Sequence, residues 1–75
     1  MSKTLEELGY EKIVDDSDMV RYKKSGEPIN CFISFYKDTK TVEANEVCYC
    51  IDYPSELGME ELKAIYKWCE DNKWI

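Results

Sequence analysis

The sequence predicts one small α+β domain that combines a short N-terminal helix, a three- to four-stranded antiparallel β-meander and a C-terminal amphipathic helix packed on one sheet face. Three observations favour this class. The segment at residues 29–36 (INCFISFY) has the β-branched and aromatic composition of a strand. Short polar turns separate it from other extended segments, as in a meander. Residues 58–75 show helical periodicity, and a chain of 75 residues is the size of a single domain, residues 1–75.

The N-terminal segment carries the signals of a short helix. Thr4 and Glu7 have the spacing of a capping box, in which each side chain accepts a hydrogen bond from the other residue's backbone N–H. Gly9 supplies a left-handed residue at the C-terminal end. We therefore expect one short helical turn, with Leu5 and Leu8 as its apolar contacts.

Extended segments and polar turns alternate in the middle of the chain. The strand at residues 29–36 places Ile33 and Phe35 on one face and Phe32 and Tyr36 on the other, and a strand that is apolar on both faces is typically central. Further strands are predicted at residues 10–14, 19–24 and 41–44, with turns at 15–18, 25–28 and 37–40.

The apolar alternation changes phase near residues 45–46. It runs through Val42 and Ala44 and then restarts at Val47 and continues to Ile51. This change predicts either a β-bulge or two short strands in succession. Residues 52–55 are expected to end the sheet.

The C-terminal helix is predicted to begin near Gly58, with Glu60 and Glu61 in its first turn, where the helix dipole favours anions. Asn72 is expected to take the left-handed stop position, after which residues 74–75 fold back on the last turn. The residues of the expected buried stripe follow the i, i+3, i+4, i+7 rule and are Leu62, Ile65, Tyr66 and Cys69.

Trp68 falls off the centre of this stripe, beside Ala64. Two interpretations of Trp68 stay open. Ordinary partial burial is slightly favoured; exposure is the other interpretation, and an exposed aromatic residue in so small a domain would indicate a partner surface. The candidate binding residues are Trp68, Ala64, Phe32 and Tyr36.

Composition argues against several functions. The chain has no histidine and no Gly-rich phosphate loop, so we expect no enzymatic activity. Its formal net charge of −6 argues against direct nucleic-acid binding. No apolar stretch is long enough for a membrane span or a signal peptide, so a cytoplasmic location without membrane association is expected.

An acidic surface is a second candidate site. Residues 43–62 contain six acidic and no basic side chains, a pattern that fits either a solvated surface or a mimic of nucleic-acid phosphates. The six candidates are Glu43, Glu46, Asp52, Glu56, Glu60 and Glu61.

The four cysteines are predicted to be reduced and to lack a disulfide. Cys48 and Cys50 would point to one face of a strand, where they could chelate a soft metal together with Cys31 and Cys69. Buried free cysteines also pack as small apolar side chains, and we expect that role, with no metal and no cofactor. Zinc analysis of the purified protein decides between the two.

Three segments together carry a family resemblance: LGYEKI near the start, ISFYKDTKTV in the middle and MEELKAIYKW near the end, followed by a terminal Trp. With them the chain resembles small phage- and prophage-encoded proteins of unknown function. The resemblance implies a setting, because small phage accessory proteins often bind host components, including those of antiviral defence. It transfers no functional residue to this sequence.

The leading functional hypothesis is a non-enzymatic phage accessory protein that binds and inhibits a host protein in the cytoplasm of the infected cell, as an anti-CRISPR protein does. One alternative is a small-ligand protein that sequesters a nucleotide signal with aromatic platforms and the basic residues Arg21, Lys23 and Lys24. Another is a structural homodimer with no separate target, joined through the uncovered face of residues 29–36.

Overall fold

The computed structural model of the chain describes residues 3–26, 29–54 and 56–75, which form a five-stranded antiparallel sheet and one α-helix. The strands lie side by side in sequence order, so the sheet is a meander, as predicted, and the fold is α+β. The elements are β1 (Glu11–Asp15), β2 (Met19–Lys24), β3 (Ile29–Tyr36), β4 (Thr41–Cys48), β5 (Ile51–Pro54) and α1 (Met59–Asp71).

The N-terminal segment forms the single hydrogen-bonded turn that the sequence predicts, with Leu8 N–H donating to Thr4 C=O at 3.2 Å, but this turn is not extended into an α-helix. The capping box itself is present: Thr4 N–H donates to the Glu7 carboxylate at 3.0 Å, and Glu7 N–H donates to Thr4 Oγ1 at 3.2 Å. Gly9 has a φ of +98°, and Tyr10 N–H donates to Leu5 C=O at 3.0 Å. This left-handed closure ends the helical path after one turn and directs the chain into β1.

The sheet has five strands where three or four were predicted. β3 and β4 pair without a register shift over the whole of β4, so neither a bulge nor a strand break lies at residues 45–46. The chain reverses directly after Cys48, at Tyr49 and Cys50, which have φ values of 49° and 67°. A two-residue hairpin with both central residues in the left-handed region follows the twist of the strands. The change of phase arises because Val47, still in β4, lies on the opposite sheet face from Val42 and Ala44, and Ile51 belongs to the next strand, β5.

β2 and β3 have the bounds that the sequence predicts, whereas β1 begins one residue later than expected. A register irregularity between Lys12 and Val14 places the bulge of this sheet in β1. The predicted turn at residues 25–28 includes Glu27 and Pro28, and the predicted end of the sheet includes Ser55; these three residues lie outside the described part of the chain.

The core lies between α1 and one face of the sheet, with Phe35 at its centre. The Phe35 ring has no solvent exposure; it stacks on Trp68 at a centroid distance of 3.8 Å and meets the edges of Tyr22 and Trp74. Among the described residues, the buried apolar side chains are Leu5, Tyr10, Val20, Tyr22, Ile33, Phe35 and Ala64.

The buried stripe of α1 differs from the predicted one. Ala64 is 1% exposed and Trp68 packs on Phe35, whereas Leu62 is 45% and Tyr66 59% exposed. Ala64 lets the helix lie close to the sheet, and stacking the large Trp68 ring on Phe35 removes more apolar surface from water than burying Leu62 would. The helix is therefore rotated so that the residues expected off the stripe lie at its centre. Ile65 and Cys69 stay partly buried.

The helix ends through Lys73 rather than Asn72. Asn72 has a φ of −97°, and Lys73 takes the left-handed conformation with a φ of 59°. Lys73 N–H donates to Glu70 C=O and Trp74 N–H to Cys69 C=O, which is the Schellman pattern. Trp74 folds back as predicted and meets Trp68 at a centroid distance of 4.9 Å.

Candidate functional site

The sheet face that points away from α1 is the main candidate surface, and we call it the open face. Cross-strand register places its residues, because directly opposed side chains of antiparallel strands share a face. The open face is defined by Met19, Arg21, Lys23, Phe32, Ser34, Tyr36, Glu43, Asn45, Val47 and Asp52.

Phe32 and Tyr36 lie on the open face, as the alternation along β3 predicts. Both side chains are half-buried by their neighbours in the sheet. Lys23 lies opposite Phe32 on β2, with its Nζ 6.0 Å from the centroid of the Phe32 ring. Two partly exposed aromatic rings of the central strand therefore lie on the open face.

Arg21 is held in place at the middle of the open face. Its Nε donates a hydrogen bond of 3.0 Å to Ser34 Oγ, and Ser34 has no solvent exposure although it lies on the uncovered side. The arginine side chain covers the small serine and satisfies its buried hydroxyl. This hydrogen bond uses only Nε, and a guanidinium carries four further N–H donors on its terminal nitrogens.

A groove of about 300 Å³ runs over the open face between β2 and β5. Asn45 Nδ2 donates to Asp52 Oδ1 across its floor at 3.4 Å. Small-molecule sites have volumes of about 300–1,000 Å³, so the groove is at the lower limit and is open to solvent. Its lining residues are Arg21, Phe32, Glu43, Asn45, Val47 and Asp52.

A second, smaller cleft lies at the seam between the N-terminal turn and α1. Its volume is about 120 Å³, well below the range of ligand sites, and Leu5, Tyr22 and Trp68 line part of it. We therefore regard it as a packing imperfection beside the core.

Two of the four predicted binding residues lie elsewhere. Trp68 and Ala64 pack in the core on the covered face. Partial burial of Trp68 is therefore confirmed, and the interpretation in which Trp68 and Ala64 form an exposed binding surface is wrong. Phe32 and Tyr36 lie on the opposite side of the sheet from them. The rotation of α1 described above is the reason, because it takes Trp68 out of solvent and onto Phe35.

The predicted acidic residues occupy different parts of the molecule. Glu43 and Asp52 lie on the open face, whereas Glu46 faces the side of α1. Glu60 and Glu61 lie in the first turn of α1, and Glu56 precedes it. The acidic segment of the sequence is therefore divided between two sides of the sheet.

The basic residues of the nucleotide hypothesis are also divided. Arg21 and Lys23 lie on the open face, but Lys24 lies on the covered face, with its Nζ 5.6 Å from the centroid of the Tyr10 ring. Lys37 forms an ion pair of 3.6 Å with Asp15.

The cysteines do not assemble into one cluster. Cys50 lies in the β4–β5 turn with a positive φ, so the expectation that Cys48 and Cys50 share a strand face is wrong. Burial raises the pKa of the Cys31 and Cys69 thiols, so both are held protonated at neutral pH. Within the described ranges, no three Cys, Asp or Glu side chains are grouped to hold a metal ion.

Asn45 and Val47 are the groove residues that sequence reasoning did not find. The signal was the alternation of β4, which places both residues beside Phe32 and Asp52 once the strand is continued to Cys48. The sequence analysis expected a bulge or strand break at residues 45–46, and for that reason it did not continue the alternation of β4 to Asn45 and Val47.

No helix in the described part of the chain is long and apolar enough to cross a membrane. Comparison of the chain with protein-family models, with curated proteins and with solved structures finds no match.

Proposed function

We propose that this protein is a non-enzymatic phage accessory protein that binds a host protein through its open face and inhibits it by covering a functional surface. The observation that carries the proposal is that Phe32, Tyr36 and a hydrogen-bonded Arg21 share a sheet face that α1 leaves uncovered. Aromatic residues and arginine are the side chains that most often dominate binding energy at protein interfaces.

Preorganisation supports recognition by this face. Phe32 and Tyr36 belong to the central strand, and the Ser34 hydrogen bond limits the conformations of Arg21. Side chains that are already ordered lose little conformational entropy when a partner binds. A rigid face of this kind suits a preformed protein surface.

Charge indicates the chemistry of the partner. The protein has a formal net charge of −6, and Glu43 and Asp52 border the groove. A basic partner surface would associate faster with such a face and would place a lysine or arginine beside the two carboxylates. The same net charge argues against direct binding of nucleic acid.

The phage setting is supported by the resemblance of LGYEKI, ISFYKDTKTV and MEELKAIYKW to phage- and prophage-encoded proteins. Cytoplasmic inhibition of an antiviral-defence component, in the manner of an anti-CRISPR protein, is the form of activity that this setting favours. Defence proteins that bind nucleic acid have basic surfaces and are the first targets to test.

The experiment is affinity capture from host cells with a matched pair of variants. Phe32→Ala removes the central ring of the open face, and Val42→Ala removes an exposed apolar side chain that register places on the other face. We expect Phe32→Ala to weaken binding of the captured protein by about 30-fold or more, and Val42→Ala to leave it unchanged. Circular dichroism checks that both variants are folded, and inhibition is then measured with the purified target.

Two outcomes would contradict the proposal: equal capture by Phe32→Ala and the parent chain, or a captured protein whose activity does not change. A nucleotide-binding role remains the second candidate, because Arg21, Lys23 and Phe32 share the open face and offer a base platform beside two cations. Calorimetry against a panel of nucleotides separates the two functions, since only the second gives heat with a nucleotide alone.

A further inference from the structure

The two edges of the sheet differ in how well they are protected from pairing with another strand. β1 contains a bulge between Lys12 and Val14, and its Asp15 is paired with Lys12 at 3.4 Å and with Lys37 at 3.6 Å. Bulges and charged side chains are the usual means by which an edge strand resists pairing. The β1 edge is therefore closed to a further strand.

The β5 edge has less protection, because it contains no bulge and its one charged side chain is Asp52. β5 pairs with β4 without a register shift, and all four of its residues are exposed. Ile51 is 55% and Tyr53 49% exposed, and the strand contains no basic residue. A regular edge with exposed apolar side chains is a template for another strand.

The free hydrogen-bonding groups of this edge are centred on Asp52. The two-residue turn between Cys48 and Ile51 directs the Ile51 N–H toward β4, so the alternation of an antiparallel ladder directs the Asp52 N–H and C=O outward. The next outward position is Pro54, which has no N–H. Asp52 therefore carries the one outward donor of β5.

This pattern is self-complementary. When two copies of β5 run antiparallel with Asp52 at the centre, each Asp52 N–H meets the other copy's Asp52 C=O. Ile51 of one copy then lies opposite Tyr53 of the other, so both exposed apolar side chains gain a cross-strand partner. A two-fold axis through this point satisfies both copies equally.

An apolar row of side chains also ends at this edge. Ile51 continues this cross-strand row through Cys48 to Ile29, which is 40% exposed.

We propose that β5 pairs with β5 of a second copy of this chain, which joins two five-stranded sheets into one across a two-fold axis. This interface differs from a dimer through the open face of residues 29–36. It leaves both open faces uncovered and on the same side of the joined sheet. The groove of each copy then lies beside the axis, because Asp52 and Asn45 line it. This proposal of a dimer does not depend on the proposal that the protein binds a host protein.

The test uses two substitutions of Asp52 with opposite expected effects. Asp52→Pro removes the outward N–H and leaves the backbone hydrogen bonds to β4 intact, while both substitutions remove the side-chain hydrogen bond from Asn45. Asp52→Ala keeps the N–H and removes two like charges that face each other across the axis. Sedimentation equilibrium over a wide concentration range should show a reversible dimer for the parent chain, a several-fold tighter dimer for Asp52→Ala and a monomer for Asp52→Pro.

Ile13→Lys is the control, because Ile13 is exposed on the other edge, and it should leave the dimer unchanged. Circular dichroism confirms that each variant is folded; an unfolded Asp52→Pro is replaced by Ile51→Lys with Tyr53→Lys, which should also be monomeric. A parent chain that stays monomeric at hundreds of micromolar overturns the proposal. So does a dimer that survives Asp52→Pro or that dissociates in Ile13→Lys.

Discussion

Phe35 is the residue at which the helix and the sheet of this protein meet. Its ring has no solvent exposure, stacks on Trp68 and contacts Trp74 and Tyr22 by their edges. Offset and edge-to-face ring pairs add to the free energy gained from area burial alone. At the residue scale, stability therefore depends on one aromatic cluster.

The first prediction tests which face of α1 is buried. Trp68→Ala should lower the free energy of unfolding by about 3 kcal/mol, because it removes the ring stacked on Phe35. Tyr66→Ala, which changes an aromatic residue that is 59% exposed, should change it by about 0.5 kcal/mol or less. Urea unfolding measures both, and equal losses would contradict the observed rotation of the helix.

The second prediction concerns alkaline pH. Burial, together with the nearby Cys31, Glu61 and Glu46, raises the pKa of Tyr10 from its ordinary value of 10.0 to about 12. The folded state therefore favours the protonated phenol. The stability that this provides is fully present below pH 10 and is lost as the pH rises from 10 toward 12.

Tyr10→Phe should reduce the loss in the free energy of unfolding between pH 10 and pH 12, measured by urea unfolding at successive pH values. Burial also raises the pKa of Tyr22, so the double variant with Tyr22→Phe should show a still smaller loss. A Tyr10→Phe profile that falls as steeply as that of the parent chain would show that Tyr10 is not the cause.

At the scale of elements, the β4–β5 hairpin explains why the fifth strand escaped prediction. Two-residue hairpins favour Asn-Gly or Asp-Gly, which enter the left-handed region with little strain. Tyr49 and Cys50 take that conformation without such a sequence signal, and each is there at a cost of about 1–2 kcal/mol. Pairing of β4 with β5 offsets that strain.

The third prediction relieves the strain in this hairpin. Tyr49→Asn combined with Cys50→Gly should raise the free energy of unfolding by about 1 kcal/mol or more. Cys50→Ala keeps a Cβ in the same conformation and should give no comparable gain. Thermal unfolding compares the variants, and an unchanged or lower midpoint for the double variant would count against the positive φ angles.

The fourth prediction locates the left-handed residue at the end of α1. Lys73→Gly should stabilise the protein by about 1 kcal/mol, because glycine adopts a positive φ without strain. Asn72→Gly is the matched control and should be neutral or destabilising, since Asn72 has a φ of −97°. If urea unfolding showed that Asn72→Gly stabilises the protein and Lys73→Gly does not, the left-handed residue that ends α1 would be Asn72, as the sequence predicts.

At the scale of the whole molecule, the described residues form two thin layers joined by one core. The principal extents are 35, 29 and 18 Å, and the shortest is about the thickness of one sheet and one helix. Both tryptophans lie in the cluster around Phe35, so their fluorescence reports the contact between the layers. Neither layer has a second core that would keep it folded alone.

The fifth prediction follows from this single core. Urea unfolding followed by tryptophan fluorescence and by far-ultraviolet circular dichroism should give coincident transitions, because loss of the interlayer contact removes the support of both layers. All measurements are made at one protein concentration, since dimerisation would shift the midpoint. A fluorescence transition that precedes the loss of circular dichroism would indicate a helix that detaches from a surviving sheet.

Part of the fold and of the candidate site followed from residue patterns. The bounds of β2 and β3, the turn before β4 and the face of Phe32 and Tyr36 were all predicted, because dense β-branched and aromatic residues with a period of two have few other structures available. The Arg21–Ser34 hydrogen bond and the groove were not predicted, since they depend on the register between strands that are far apart in sequence.

The sequence by itself determined the α+β class, the order of the meander and the extent of the C-terminal helix, because these depend on local composition, turns and caps. The tertiary structure alone decided the rotation of α1 and the existence of β5. The helix has two apolar stripes that could face the sheet, and the buried one is the stripe whose Trp68 stacks on Phe35. β5 exists because pairing with β4 outweighs an unfavourable Tyr49–Cys50 turn, a balance that no local pattern records.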